Sequence, residues 1–184
     1  MTALTPETSD ALRLSYIDRF IDTSAEHYKN TIRKTTMFID GPCYTGYLWD
    51  CLRSPTVISE HQADSLLKEK RDIYMMWDIH SCERILTPHD WTFPKTAVLY
   101  AKAWSETFQT ILPEDIYVFD DTLRWSIIYT HETNIDDSRY CLSALPTGEG
   151  ERHGFSDPRW GKVRPIAFLQ QERASLFDQT GCPR

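Results

Sequence analysis

Glycine is scarce in this chain, 7 of 184 residues, and none of the glycine-rich loops that cradle phosphates is present. The helical zinc motif H-E-x-x-H and the nucleophile elbow G-x-S-x-G are missing as well. The direct routes to a nucleotide, zinc-protease or serine-hydrolase function are therefore closed. No apolar run approaches the roughly 18 residues of a membrane span. The polar start, Met1 to Asp10, lacks the basic and apolar regions of a signal peptide. The five cysteines (Cys43, Cys51, Cys82, Cys141, Cys182) are odd in number and scattered, with no C-x-x-C pair. That pattern speaks against a secreted disulfide framework and predicts reduced thiols in a soluble cytoplasmic protein. Cations are also outnumbered, 20 Lys and Arg against 27 Asp and Glu, for a net charge of −7. Nucleic acid and anionic membranes need basic surface, so neither is an expected partner. No metal or other cofactor is expected.

Aromatic residues are abundant: 6 Trp, 9 Tyr and 8 Phe. Large rings first imply an aromatic core. The length suits one domain of ordinary composition. Thr5-Pro6 opens a helix in which Leu14, Ile17, Ile21, Tyr28 and Ile32 keep a helical period, broken or kinked near Asp22. Thr23-x-x-Glu26 has the form of a capping box there. Ser59-x-x-Gln62 is another, predicting a helix to about Lys70. The aromatic stretch 44–52 fits helix or strand equally.

The run 73–79 predicts a buried strand, 116–119 and 123–130 an antiparallel hairpin, and 139–145 a third strand after a polar loop. Ala97, Ala101, Trp104, Phe108 and Ile111 follow spacings of four, three, four and three. That spacing predicts an amphipathic helix over 95–111 packed on the sheet through Trp104 and Phe108. The fold class is α+β: a mainly antiparallel sheet with helices packed on it. It forms one core domain, 1–146, with an irregular C-terminal arm, 147–184, holding a short helix.

Two constellations carry chemistry. Asp78, His80, Ser81 and Cys82 follow one predicted strand, and His131 and Glu132 another. Were those strands parallel, both groups would share a sheet edge, where a Cys82 thiolate with a histidine base would form a nucleophile pair. The plainer reading makes His80 and His131 ordinary strand-end residues satisfying nearby backbone groups. The second is electrostatic: seven acids between 114 and 137 face Arg124 alone. Asp120, Asp121, Asp136 and Asp137 fall in turns, as a solvated rim or as an acidic platform for a cationic partner. Trp125 and Tyr129 are candidate anchors for that partner if they face outward. Strand alternation puts them on one face with Ile127, the usual mark of core.

The stretch Tyr117-Val118-Phe119-Asp120-Asp121 through Trp125-Ser126-Ile127-Ile128 to Thr130-His131-Glu132 resembles a pattern in small bacterial proteins. It is similar to the hairpins of immunity proteins, which protect bacteria from toxins of competitors. The resemblance implies a binding function and assigns no residues. The expected function is thus a protein-binding module, an immunity protein meeting a basic toxin domain. The alternative is an enzyme using His80, Cys82, His131 and Glu132.

Overall fold

A computed structural model describes residues 1–34, 36–38, 41–43, 45–78 and 93–146, all within one unit, Met1–Arg152. In chain order the elements are β1 (Thr2–Ala3), α1 (Pro6–Phe20), a π-helical turn (Tyr28–Ile32), β2 (Thr36–Phe38), β3 (Gly41–Cys43) and a 3₁₀ turn (Leu48–Cys51). There follow β4 (Pro55–Ile58), α2 (Glu60–Lys68), β5 (Arg71–Trp77), β6 (Leu99–Ala103), α3 (Phe108–Ile111), β7 (Ile116–Asp120), β8 (Ser126–Thr133) and β9 (Arg139–Ala144). Seven strands make one antiparallel sheet in the order β1-β6-β5-β7-β8-β9-β4, and β2 and β3 pair separately. The expected α+β class holds.

Both faces of this sheet are covered, which explains why its central strands read as unbroken apolar runs. Met76, Tyr117, Phe119, Ile128 and Leu142 face α1, which contributes Leu12, Tyr16 and Phe20. Met75, Trp77, Ile116, Val118, Ile127 and Tyr129 face the other way, toward Ala63 and Leu67 of α2. Successive residues of β5, β7 and β8 thus enter opposite cores, as the period of two requires. Trp125, Ile127 and Tyr129 do share a face, and it is a core face.

Local chemistry sets the helix starts. Thr5 accepts a hydrogen bond from the Thr8 N–H at 3.3 Å, with Pro6 in the first turn. Ser59 and Gln62 form a complete capping box on α2. α1 ends at Ile21, which bridges to Leu52, so the break expected near Asp22 is present. The cap there differs from expectation: Asp22, not Thr23, accepts from the Ser24 N–H and hydroxyl.

The helix expected over 95–111 is not formed. Residues Leu99–Ala103 are strand β6, paired with β1 and β5, and only Phe108–Ile111 is helical. The spacing of four between Ala97 and Ala101 fits a strand as well as a helix, because four is an even number. Leu99, buried between them, is the residue that settles the period as two. Trp104 and Phe108 still pack edge to face, from a loop and one helical turn, against the core that holds Tyr129. β8 also starts later than expected, because Leu123 has φ 49° and lies in the turn. Residue 79 of the expected strand and the arm 147–184 lie outside the described residues.

Candidate functional site

β5 and β8 each pair antiparallel with β7, so they run in the same direction on either side of it. Their C-terminal ends therefore meet the start of β7 at one edge of the sheet. Trp77 pairs with Ile116, and Ile116 with Tyr129. Asp78, Asp115 and His131 are brought together there. Of the two groups expected to share an edge, Asp78 and His131 do so, through an intervening strand rather than as parallel neighbours.

His131 is aimed by a β-bulge. Tyr129 pairs with Cys141 and Thr133 with Arg139, so β8 takes four steps where β9 takes two. Arg139 stitches the bulge, donating from Nε to the Thr130 carbonyl at 2.7 Å and from Nη2 to the Glu114 carbonyl. The His131 side chain is left 30% exposed, beside an Asp115 side chain only 8% exposed. Asp115 accepts from the His131 backbone N–H at 3.1 Å, contacts Nδ1 at 3.0 Å, and accepts from the Trp49 indole N–H at 3.0 Å. A carboxylate only accepts, so the His131 Nδ1 that meets Asp115 carries a proton.

The 3₁₀ turn covers this edge, and two carboxyl groups fix it. The Leu48 N–H donates to Asp78 at 3.1 Å, and the Trp49 N–H donates to the Tyr117 hydroxyl at 2.9 Å. That hydroxyl in turn donates to Asp78. Trp49 thus joins the buried Asp78–Tyr117 pair to the Asp115–His131 pair. Burial pushes the Asp78 carboxyl up to about 8, and the neighbouring Asp115 adds to the rise. The Tyr117 hydroxyl and Leu48 N–H bonds and the nearby Arg13 oppose that shift. Tyr117 is itself raised, chiefly by burial and then by Asp78. Above the network, Tyr47 stacks on Trp49 with centroids 5.5 Å apart and lies 4.6 Å from the His131 ring.

Exposed acids rim the same edge: Glu114, Glu132, Asp136 and Asp137. The two proposed pairs of turn acids are nevertheless divided. Asp120 and Asp121 lie at the β7–β8 turn, and Asp136 and Asp137 at the β8–β9 turn, at opposite ends of β8. An eight-residue strand separates them by roughly 25 Å, at about 3.3 Å per residue. Charges are screened within about 8–10 Å at physiological salt, so the four do not act as one platform. The acids do lie in turns at the two ends of the hairpin, and it is the single platform that the strand length divides.

The Asp120 end is engaged internally. Asp120 accepts from the Thr122 N–H at 3.0 Å and from the Trp125 indole N–H at 2.6 Å. Lys70 lies 4.8 Å over the Trp125 ring, so this proposed anchor already holds a cation of its own chain. Tyr129 is fully buried, donating to Asp64 at 2.6 Å and stacking on Trp104 at 5.3 Å. As an outward anchor it is ruled out by burial. His80 and Cys82 lie outside the described residues.

No family model, curated protein or solved structure matches the chain. Function must be read from this edge. Sequence reasoning passed over Tyr47, Trp49, Asp115 and Tyr117 as site residues. The alternation Asp115-x-Tyr117 was the available signal, because i and i+2 share a face in extended chain, whereas Tyr47 and Trp49 lie at a 3₁₀ turn that nothing local announces. Among the described residues no group of three or more His, Cys, Asp or Glu is placed to hold a metal ion, and no helix is long and apolar enough to cross a membrane.

Proposed function

We propose that this protein is a protein-binding module, an immunity protein of a reducing, cytoplasmic compartment, whose contact face is the edge carrying Tyr47, Trp49 and His131. The observation that carries the reading is the rigid ring cluster within an acidic rim. Aromatic anchors that are already immobilised lose little entropy on binding, and centrally placed rings dominate interface energies. Glu132, Asp136 and Asp137 around them favour encounter with a basic protein such as a toxin domain. Arg139, at the start of β9, is turned inward on backbone carbonyls.

The test uses the full chain as bait, followed by kinetics with the partner it retains. Replacing His131 by Phe or Tyr47 by Leu should speed dissociation at least tenfold, the effect of losing about 1.4 kcal/mol at a central contact. Unchanged dissociation in both variants rules this face out.

The Asp115 bond to His131 Nδ1 favours a second reading, an enzyme in which His131 is a general base. If it activates the Cys82 thiol, alkylation of Cys82 near pH 6.5 should be fast and should slow at least tenfold in His131→Phe. Equal rates remove this form of the enzyme reading.

A further inference from the structure

We infer that the 3₁₀ turn Leu48–Cys51 is a pH-sensitive latch, fastened to the sheet edge through the buried carboxyl of Asp78 and released as that carboxyl ionises. As regulation of the contact face the inference rests on the binding reading above; the latch itself does not.

Two features of the geometry build the latch. The first is where the turn is held. The Leu48 N–H donates to Asp78, and the Trp49 N–H donates to the Tyr117 hydroxyl, which itself donates to Asp78. Two successive backbone donors thus end, directly or through one hydroxyl, on a single carboxyl. The second is burial without a counter-charge. Asp78 is 2% exposed and makes no ion pair among the described residues. β7 presents to it Tyr117 and a second buried carboxyl, Asp115, which in turn holds His131 of β8. α1 presents Tyr16 and Arg13. The Arg13 guanidinium is committed elsewhere: Nη2 donates to the Trp77 carbonyl at 2.9 Å, and the buried Nη1 meets no acceptor among the described residues. An ionised carboxyl costs most where neither water nor a paired cation reaches it.

The sign follows from linkage. With the turn docked, burial pushes Asp78 up to about 8, and Asp115 adds to the rise. With the turn lifted, water reaches the carboxyl and its ordinary value of about 4 returns. Below about pH 4 both states hold the proton, and docking is strongest. Between about pH 4 and 8 each unit favours lifting by about tenfold, and above 8 the effect levels off.

The experiment is backbone amide hydrogen exchange of the full chain, followed residue by residue by NMR over about pH 5–8. Base catalysis raises the intrinsic rate of every amide alike, so rates are divided by that intrinsic rate to leave the opening equilibrium. For Leu48 and Trp49 the quotient should rise about tenfold per pH unit. For Ala63, held by the Ser59 carbonyl at 2.9 Å in α2, it should stay flat. Leu48 and Trp49 should also exchange at least about tenfold faster than Val118, in the middle of β7, which opens only with the sheet. Asp78→Asn keeps an acceptor for the Leu48 N–H and leaves Asp115 and His131 in place. It should flatten the Leu48 and Trp49 profiles. Flat profiles in the wild type overturn the inference. So does a slope that Asp78→Asn retains. Exchange of Leu48 at the rate of Val118 overturns it too, since the turn would then open only as the whole sheet unfolds. If the variant does not fold, the wild-type comparison with Ala63 and Val118 decides by itself. Because no partner protein takes part, these failures are separate from failure of the partner kinetics, which test the binding reading alone.

Discussion

At the scale of the residue, Asp78 sits where burial, a tyrosine hydroxyl and a second carboxyl meet. Its folded carboxyl is pushed to about 8, against an ordinary value of about 4. For an acid the neutral form is then the one the fold prefers. The stability it contributes is present in full below about pH 4, and is lost progressively as pH rises through 8. Asp78→Asn keeps a carbonyl oxygen for the Leu48 N–H and has no charge to bury. Urea unfolding at pH 5 and pH 8 should show wild type losing on the order of a few kcal/mol more than the variant over that interval. Parallel pH dependence in the two proteins would mean that Asp78 does not titrate in this window. Neither the burial of Asp78 nor its partners could be read from sequence. The residue follows an apolar run, but Leu48, Tyr117 and Arg13 reach it from 30, 39 and 65 positions away.

At the scale of the element, legibility followed the locality of the deciding interaction. The α2 cap was readable because Ser59 and Gln62 satisfy each other within one turn. Ser59→Ala should cost about 1 kcal/mol in urea unfolding, and a loss near zero would show that α2 is held by Ala63 and Leu67 alone. The central strands were readable as buried runs because they have a core on each face. β6 was misread because Ala97 and Ala101 satisfy both periods, and the vote for a strand comes from its neighbours β1 and β5. A four-residue period in small apolar residues is thus weak evidence for a helix when a sheet edge is open to receive the chain. The 3₁₀ turn could not be assigned either. Leu48–Cys51 owes its shape to Asp78, Tyr117 and Asp115, which lie far along the chain.

At the scale of the molecule, the sheet sorts the acids that the sequence lists together. Counting charge between residues 114 and 137 suggests one patch, yet the direction of β8 sends it to two ends. The end with Asp120 and Asp121 also carries Lys70 over Trp125 and Lys102 bonded to Asp72. The end with Glu132, Asp136 and Asp137 carries the half-buried rings of Tyr47 and Trp49 beside His131. The candidate site was legible only in part: His131 and its edge came from the strand pattern, and its aromatic cover from nothing local.

The most direct test compares the two ends in one assay, the association rate with the purified partner at low salt. Neutralising Glu132, Asp136 and Asp137 together should slow association about tenfold and flatten its salt dependence, because exposed charges act on encounter over a screening length. Dissociation should change little. Neutralising Asp121 at the far end, with Asp120 left to its structural bonds, should leave the rate as it was. A slower association from the Asp121 change alone, with the triple variant behaving as wild type, would contradict the assignment of the His131 edge as the contact face.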